Sequence, residues 1–243
     1  MNKVFIDVDK EGRPLVHAVP ENKTRVLYHE LDLTLTFPTE EDMACEAQLS
    51  AIGTWEPLRF NIKNWAKDER ELTDLWRPFQ PKLGVSNDRE SILIYGAPGA
   101  EPTDPCGLSQ MALKSGIKPL EDSMRTPTSA QPKLKCLQEV FDYFELGRTF
   151  LVRLNQGGHY PPHRDCHILT RPTFRLIAFL GDSTGKLRWE VEGKRVYVEP
   201  NHLYYVDTRK MHNLWSSGSK STMCVFNIMK DWKNTMKVLS MLK

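Results

Sequence analysis

Residues 173–229 read TFRLIAFLGDSTGKLRWEVEGKRVYVEPNHLYYVDTRKMHNLWSSGSKSTMCVFNIM, and their pattern indicates the fold class. The stretch consists of short runs rich in β-branched and aromatic residues, separated by turns that contain Gly, Asn, Asp or Pro. The runs are TFRLIAFL (173–180), LRWEVE (187–192), KRVYV (194–198), HLYYVD (202–207), HNLWSS (212–217) and STMCVFNIM (221–229). With TFLVRLN (149–155) and SILIYG (91–96) they make eight strands. So many short strands predict a mainly β, antiparallel fold of the jelly-roll or cupin-like barrel kind.

Helices are predicted to flank this barrel. Residues 132–146, PKLKCLQEVFDYFEL, place apolar side chains three and four positions apart, which predicts an amphipathic helix lying on a sheet. A short helix is predicted in TEEDMACEAQLSAIG (39–53) and a terminal helix in 230–243. We expect three units: a β-rich N-terminal elaboration (1–90) packed on the barrel, the barrel core (91–229) and the C-terminal helix.

Two further segments have a distinct pattern. The first 35 residues or so alternate like paired strands, in VFIDV (4–8), LVHAV (15–19) and VLYHELDLTLTF (26–37). Residues 97–131 are rich in Pro, Gly, Ser and Thr and contain no clear element. Loops of that length are uncommon unless they are functional or disordered, so this one is either a substrate lid or a mobile surface insertion.

Composition limits the classes of function. The 243 residues carry 33 basic and 31 acidic side chains, for a formal charge of +2, which favours neither a nucleic-acid nor a membrane partner. No stretch approaches the roughly 18 apolar residues of a membrane span, and we expect a cytoplasmic protein. The cysteines lack a CxxC pair and are expected to be free thiols. They are Cys45, Cys106, Cys136, Cys166 and Cys224.

Three residues form a candidate metal site. His163 and Asp165 follow the Gly- and Pro-rich stretch GGHYPP, which we interpret as a turn, and His212 lies 47 residues beyond Asp165. Two imidazoles and one carboxylate are the ligand set of the facial triad, which leaves three positions on Fe(II) open. Residues two apart on an extended chain project to the same face, so the distal His must come from a neighbouring strand. A bare HxD is a weak signal, and its position relative to the strands strengthens it.

Residues 148–229 resemble the Fe(II)/2-oxoglutarate-dependent dioxygenases with a double-stranded β-helix. The arginine-bearing strand TFRLIAFL, the hairpin WEVEGKRV and the distal His followed by Trp215 are similar to aspartyl/asparaginyl β-hydroxylases. The stretch YPPHRD is similar to prolyl 4-hydroxylases. The resemblance implies that His163, Asp165 and His212 are the iron ligands. It departs from pattern at Asp165, because the β-hydroxylases lack the carboxylate ligand.

The resemblance also implies contacts to 2-oxoglutarate, the expected co-substrate. Arg175 falls where the β-hydroxylases place an arginine that contacts it, and a guanidinium can bond a carboxylate bidentately. Many members have a basic residue about ten positions beyond the distal His, where this chain has Thr222, with Lys220 two residues earlier. Lys220 is therefore an alternative anchor, followed by Arg188, Lys186 or another group. Tyr160 is expected either to place its hydroxyl over the co-substrate or to pack in the core.

The function that the resemblance implies is hydroxylation of a C–H bond, with Fe(II) as cofactor. The expected substrate is a peptidyl Asp, Asn or Pro residue or a free amino acid, and a nucleobase is disfavoured by the balanced charge. One alternative is a non-redox, cupin-like module that binds a metal or small molecule, although cupins supply an HxH pair that this chain lacks. The other is a structural β-sandwich in which the three residues are accidental.

Several neighbouring side chains are open to two interpretations. Three further histidines are expected to be surface or supporting residues rather than ligands; they are His159, His167 and His202. The aromatic residues on the barrel strands either pack or line a substrate pocket; they are Trp189, Trp215, Tyr204 and Tyr205. The basic residues near the proposed mouth form either a solvated face or a surface for an acidic or phosphate-bearing substrate. These are Lys186, Arg188, Lys194, Arg195, Arg209 and Lys210.

Overall fold

The computed structural model of the chain describes residues 4–8, 14–18, 39–53, 55–79, 88–107, 121–165, 172–181, 186–218 and 220–242. Its strands are β1 (Val4–Val8), β2 (Pro14–Ala18), β3 (Trp55–Asn61), β4 (Arg77–Pro78), β5 (Arg89–Gly96), β6 (Thr126–Pro127), β7 (Leu146–Leu154), β8 (His159–His163), β9 (Thr173–Leu180), β10 (Leu187–Val191), β11 (Lys194–Val196), β12 (His202–Val206), β13 (His212–Ser216) and β14 (Ser221–Met229). Its α-helices are α1 (Glu40–Ile52), α2 (Trp65–Glu71), α3 (Gln138–Tyr143) and α4 (Trp232–Met241). Short 3₁₀ turns occupy Thr73–Leu75, Glu121–Ser123, Gln131–Lys133 and Lys135–Leu137.

The strands β7 to β14 pair as a hairpin folded over on itself. β10 pairs with β11, β9 with β12, β8 with β13 and β7 with β14, all antiparallel. Successive strands therefore alternate between a large sheet, in which the order is β12-β9-β14-β7, and a small sheet of order β11-β10-β13-β8, except that β10 and β11 form a hairpin within the small sheet. This connectivity is that of a double-stranded β-helix, or jelly roll, and the predicted fold class is confirmed.

The large sheet is extended at both edges. β3 pairs with β12 at one edge, and β5 and β4 continue the sheet beyond β7 at the other. β1 and β2 form a separate two-stranded sheet. The segment 1–90 thus contributes β3, β4 and the first residues of β5 to the main sheet as well as α1 and α2, and its description as an elaboration packed on the barrel stays a prediction. The predicted strand 26–37 lies outside the described residues.

Two apolar cores lie on the two faces of the large sheet. On β9, Ile177 and Phe179 face the small sheet, whereas Leu176, Ala178 and Leu180 face the helices. A strand that is covered on both faces has no polar side to show, which explains its nearly continuous apolar sequence. Full burial of a side chain such as Phe179 contributes about 1.5–3 kcal/mol relative to exposure. The sheet is therefore a rigid frame for the residues at its ends.

Two predicted elements differ from the structure. The helix predicted over residues 132–146 is two 3₁₀ turns followed by the short α3. Its apolar positions nevertheless pack on the sheet, because they are all buried in the core on the helix-covered face of the large sheet. These positions are Leu134, Leu137, Phe141 and Phe144. Residues 159–163, interpreted as part of a turn, form β8. Its two prolines lack a backbone N–H group. They are tolerated because β8 lies at the edge of the small sheet, where not every backbone N–H has to pair with a neighbouring strand.

The remaining predicted helices are confirmed. α1 begins after Thr39, whose side chain and that of Asp42 form a capping box with each other's backbone N–H. α4 begins after Asp231, whose carboxylate accepts from the backbone N–H of Asn234. Within the part of the chain that the structure describes, no helix is long and apolar enough to cross a membrane.

Candidate metal centre

The two candidate histidines face each other across paired strands. β8 ends at His163 and β13 begins at His212, and the antiparallel register places these two residues directly opposite each other. Their ring centroids are 4.4 Å apart. The expectation that the distal His comes from a neighbouring strand is confirmed.

Asp165 lies two residues beyond the end of β8. Its backbone N–H donates to the carbonyl oxygen of Thr208, 3.1 Å away, in the turn that precedes β13. Its carboxylate oxygens lie 3.2 Å from Nε2 of His163 and 3.6 Å from Nε2 of His212. One potential ligand atom from each of the three residues lies within 4.8 Å of the others. The fold thus brings together the three residues that the sequence singled out.

Backbone contacts fix the tautomer of both rings. Nδ1 of His163 is 2.7 Å from the carbonyl oxygen of Pro161, and Nδ1 of His212 is 2.9 Å from that of Lys210. A carbonyl oxygen only accepts, so Nδ1 carries the proton in each ring and donates it. The lone pair of each Nε2 is then directed at the common centre, as metal-binding histidines require.

The carboxylate of Asp165 is held in its ionised form. Burial raises the pKa of Asp165, but the positive charge of Arg175 and the contacts with His163 and His212 outweigh burial and hold this pKa well below its usual range. The hydrogen bond to Asp165 raises the pKa of His163, whereas burial lowers that of His212. A divalent cation held by Nε2 of both rings would become the partner of this carboxylate.

A buried charge network lies next to the carboxylate. Arg175, on β9, donates from Nη1 to Asp165, from Nε to Oδ1 of Asn227 at 3.1 Å and from Nη2 to Oε1 of Glu121 at 3.3 Å. Arg148, on β7, donates from Nη2 to the same oxygen of Glu121 at 2.6 Å. Two arginines and two carboxylates therefore share the interior at this end of the barrel.

Aromatic rings line the centre from inside the barrel. The indole of Trp189 stacks on the ring of His212, with centroids 5.8 Å apart and an interplanar angle of 6°. Trp55 and Phe179 pack on Trp189 in turn. The side chain of His212 is 6% exposed and that of His163 is 35% exposed. Access to the centre is therefore from the His163 side.

Tyr160 lies inside the barrel on the same strand as His163. Its ring stacks with that of His163 at a centroid distance of 6.1 Å, and the guanidinium of Arg89 lies 4.2 Å from the centroid of the Tyr160 ring. Burial raises the pKa of the Tyr160 hydroxyl, which therefore stays protonated. The structure thus brings Tyr160 close to the three candidate ligands.

Lys220 is not brought to this centre. Along β9, Arg175 is opposite Asn227 of β14, whereas Leu180 is opposite Thr222. Five residues along a strand correspond to about 17 Å, so Lys220, which precedes β14, lies towards the far end of the barrel.

Arg188 and Lys186, the remaining basic candidates for the co-substrate anchor, are exposed. Arg188 contacts Glu190 and Trp215 on the outer surface of the small sheet. Because adjacent positions on a strand face opposite sides, Arg188 points away from the barrel interior in which Trp189 lies. Of the basic residues considered as anchors, Arg175 is therefore the one that the fold brings to the candidate ligands.

The sequence reasoning missed two members of the network, Glu121 and Arg148. Arg148 had a detectable signal, because it lies at every second position of β7 together with residues that face the barrel interior. These residues are Phe150, Val152 and Leu154. A charged residue at such a position marks an interior polar site. Glu121 had no such signal, since it lies in a 3₁₀ turn and not on a strand with an alternating pattern.

Comparisons with known proteins give likenesses in structure only. No protein-family model matches the chain, and no curated protein matches its sequence. Similar solved structures include a 2OG-Fe(II) oxygenase family oxidoreductase from Burkholderia pseudomallei, at 14% identity over 78% of this chain and 90% of that chain, with a TM-score of 0.38. A prolyl-4-hydroxylase from Pseudomonas putida is 13% identical over 76% and 98% of the two chains, with a TM-score of 0.39.

A third similar structure is the viral collagen prolyl hydroxylase vCPH from Paramecium Bursaria Chlorella virus-1, in a 2OG complex. It is 9% identical over 73% of this chain and 96% of that chain, with a TM-score of 0.37. These identities and scores are low, and the fold assignment rests on the strand order and register of the chain itself. By its own strand order and register, the chain is thus a double-stranded β-helix protein.

Proposed function

We propose that the chain is an Fe(II)- and 2-oxoglutarate-dependent dioxygenase that hydroxylates a C–H bond. The observation that carries this proposal is the convergence of ligand atoms of His163, Asp165 and His212 within 4.8 Å. Two imidazoles and one carboxylate arranged in this way suit Fe(II) and leave three of its positions for co-substrate and dioxygen. All three residues are proposed metal ligands.

The protonation states of the three candidate ligands, as well as their residue types, suit a divalent metal ion. Ligands must be deprotonated, and the pKa of Asp165 lies well below its usual range. Nδ1 of each His is bonded to a backbone carbonyl, so Nε2 is the ligating atom in both.

The charges around the centre support a dianionic co-substrate. Arg148 and Arg175 are balanced by Glu121 and Asp165, so a divalent cation leaves two positive charges uncompensated. Uncompensated charge is costly in a buried site, and 2-oxoglutarate carries two negative charges. Nε of Arg148 is buried and has no hydrogen-bond partner within the described ranges, which suits an additional acceptor.

We propose that Arg175 and Tyr160 contact 2-oxoglutarate. A guanidinium has five N–H donors, and Arg175 uses three of them for hydrogen bonds to Asn227, Asp165 and Glu121. The other two can bind a carboxylate of the co-substrate. Tyr160 is protonated and lies beside His163. Lys220 is left out of this proposal because it lies towards the other end of β14.

The protein's own residues hold the metal, orient its carboxylate ligand and shield the centre from water. When bound, iron and 2-oxoglutarate supply the activation of dioxygen that C–H hydroxylation requires. The three ligands fix the metal, and Arg175 orients the Asp165 carboxylate. Trp189 and Phe179 keep water from the inner side of the centre because both are buried. The substrate must then approach from the His163 side.

For the substrate we propose a peptidyl Asp, Asn or Pro residue or a free amino acid. The support is the sequence resemblance to aspartyl/asparaginyl β-hydroxylases and prolyl 4-hydroxylases. The test is incubation of the iron-loaded protein and 2-oxoglutarate with peptide and amino-acid mixtures, followed by mass spectrometry. A gain of one oxygen atom that depends on 2-oxoglutarate supports the proposal, and succinate formation without an oxidised product in any mixture contradicts this substrate class.

The proposed cofactors are tested by anaerobic titration of the apoprotein with Fe(II) and then 2-oxoglutarate. We expect a weak charge-transfer band near roughly 500 nm, which a chelated 2-oxo acid gives at a triad with open positions. Iron binding without this band favours the cupin-like binding module. Absence of iron binding would contradict the central claim.

Matched variants sharpen this first prediction. Asp165→Ala and His212→Ala are expected to abolish the band, because each removes one of three ligands. His159→Ala is the control: His159 lies on the same strand as His163 but is exposed and contacts Asp88. Its band should equal that of the unmodified protein, and survival of full iron affinity in His212→Ala would make the ligand assignment wrong.

A further inference from the structure

We propose that Glu121 is a positioning residue for the metal centre, which holds Arg175 in the orientation in which Arg175 binds Asp165. This inference rests on the proposed function in that it assumes a metal at the three ligands. Glu121 is itself outside the group of ligand atoms. Its contact with Arg175 links it to Asp165.

The carboxylate of Glu121 is buried and fully engaged. Its side chain is 7% exposed. Oε1 accepts from Nη2 of Arg148 at 2.6 Å and from Nη2 of Arg175 at 3.3 Å, and Oε2 accepts from Oγ1 of Thr173 at 2.9 Å. A carboxylate that bridges two buried guanidinium groups removes the repulsion between them. Without it, both arginines would need another counter-charge.

The geometry of Arg175 transmits this effect to the ligand. Its planar guanidinium contacts Asn227 through Nε, Asp165 through Nη1 and Glu121 through Nη2. Three acceptors around one rigid plane define its orientation. If Glu121 loses its charge, Asp165 becomes the main counter-charge for Arg175. The Asp165 carboxylate would then be drawn towards Arg175 and away from the metal.

The fold provides this contact by docking one turn on one strand. Glu121 begins the 3₁₀ turn Glu121–Ser123, which packs on β7. At Gly147 of β7, a Cβ atom would collide with the carbonyl oxygen of Glu121, so only glycine allows this close approach. The turn belongs to the long segment 97–131, which the sequence suggests is a lid or a surface insertion. One part of that segment thus carries a residue that supports the metal centre.

The experiment is a titration of the apoprotein with Co(II), followed by visible absorption, which needs neither oxygen nor substrate. Glu121→Gln removes the charge at nearly constant shape. We expect it to weaken Co(II) binding by about tenfold, the lower end of the range for residues that support metal ligands. Thermal unfolding of each apoprotein, measured in parallel, gives the stability separately from the affinity.

Glu90→Gln is the matched control. Glu90 is also partly buried and accepts two hydrogen bonds from an arginine, Arg153, but this pair lies between β5 and β7 away from the three ligands. It is expected to change stability without changing Co(II) affinity by more than about twofold. Thr173→Val is a milder second variant that deletes only the bond to Oε2, with an expected loss of about threefold in affinity.

Coupling between variants tests the route of the effect. Arg175→Gln is expected to weaken Co(II) binding, and Glu121→Gln added to it should weaken binding no further, because Glu121 acts through Arg175. Losses that multiply in the double variant would overturn the inference. So would an unchanged affinity in both Glu121→Gln and Thr173→Val. If the unmodified protein binds no Co(II), both the proposed function and this inference fail. If the unmodified protein binds Co(II) and changes at Glu121 have no effect on the affinity, the inference fails and the proposed function stands.

Discussion

Trp189 illustrates how a single side chain is assigned a role by its direction. The sequence left open whether Trp189 and Trp215 line a pocket or pack. Trp189 faces into the barrel and stacks on His212, whereas Trp215, on the neighbouring strand, faces outward and is 38% exposed. Because adjacent positions on a strand face opposite sides, Arg188 and Glu190 flank Trp189 on the solvent side. Trp189 therefore supports the ring of a proposed ligand and packs the core.

This direction gives a prediction for stability. Trp189→Ala should lower the free energy of unfolding by about 3–5 kcal/mol, as expected for loss of a large core side chain. Trp215→Ala is the control and should cost less than about 1 kcal/mol, because it removes only an exposed contact with Arg188. Urea denaturation of both apoproteins measures the difference. Equal losses would mean that the two indoles do not face opposite sides of the small sheet.

Among the elements, the turn between β12 and β13 contacts one proposed ligand, Asp165, and leads into another, His212. Thr208, in this turn, accepts the hydrogen bond from the backbone of Asp165, and the turn leads directly into His212. Arg209, in the same turn, pairs with Asp207 and with Glu46 of α1. The helix thus braces the turn that positions two of the three proposed ligands.

Removal of this brace should affect both stability and metal affinity. Arg209→Gln is expected to lower the free energy of unfolding by about 1–3 kcal/mol, since hydrogen bonds to charged groups are lost in a half-buried site. It should also weaken Co(II) binding by a few-fold. Arg125→Gln removes an exposed pair with Glu145 and should cost no more than about 0.5 kcal/mol. Chemical denaturation and Co(II) titration check both statements, and an unaltered affinity in Arg209→Gln would show that the turn keeps its place without α1.

On the scale of the whole molecule, the centre joins the two sheets. The small sheet supplies His163 and His212, and the large sheet supplies Arg175, which holds Asp165. A metal at this position would bind the folded state and not the unfolded chain. It is therefore expected to stabilise the fold as a whole.

Metal addition should raise the melting temperature. At a free Co(II) concentration one hundred times the dissociation constant, the stabilisation is about 2.7 kcal/mol. For a chain of this length it corresponds to a rise in Tm of about 5–10 °C. Differential scanning calorimetry measures this rise, and a chelator should reverse it. His212→Ala should show no rise, and a rise of the same size in that variant would place the metal elsewhere.

Many features of the fold and of the candidate metal centre could be predicted from local sequence patterns. The positions of eight strands, the jelly-roll class and the three candidate ligands follow from local patterns, namely two-residue alternation, turn residues and ligand spacing. The strand β8 escaped prediction because its two prolines are typical of a turn, and only its position at the sheet edge makes them acceptable. The sequence also predicted that His212 comes from a neighbouring strand, whereas its position directly opposite His163 is set by the register of β8 and β13.

The distant groups that surround these ligands became visible only in the folded chain. Glu121 meets Arg148 and Arg175 across 27 and 54 residues of sequence, and Lys220, close to His212 in sequence, lies towards the far end of the barrel. The partner of a buried charge depends on sheet register and on the docking of loops, which are non-local contacts that no spacing rule contains. Local chemistry therefore identified the candidate metal ligands, and the packing of remote segments determined the charges that hold them in place.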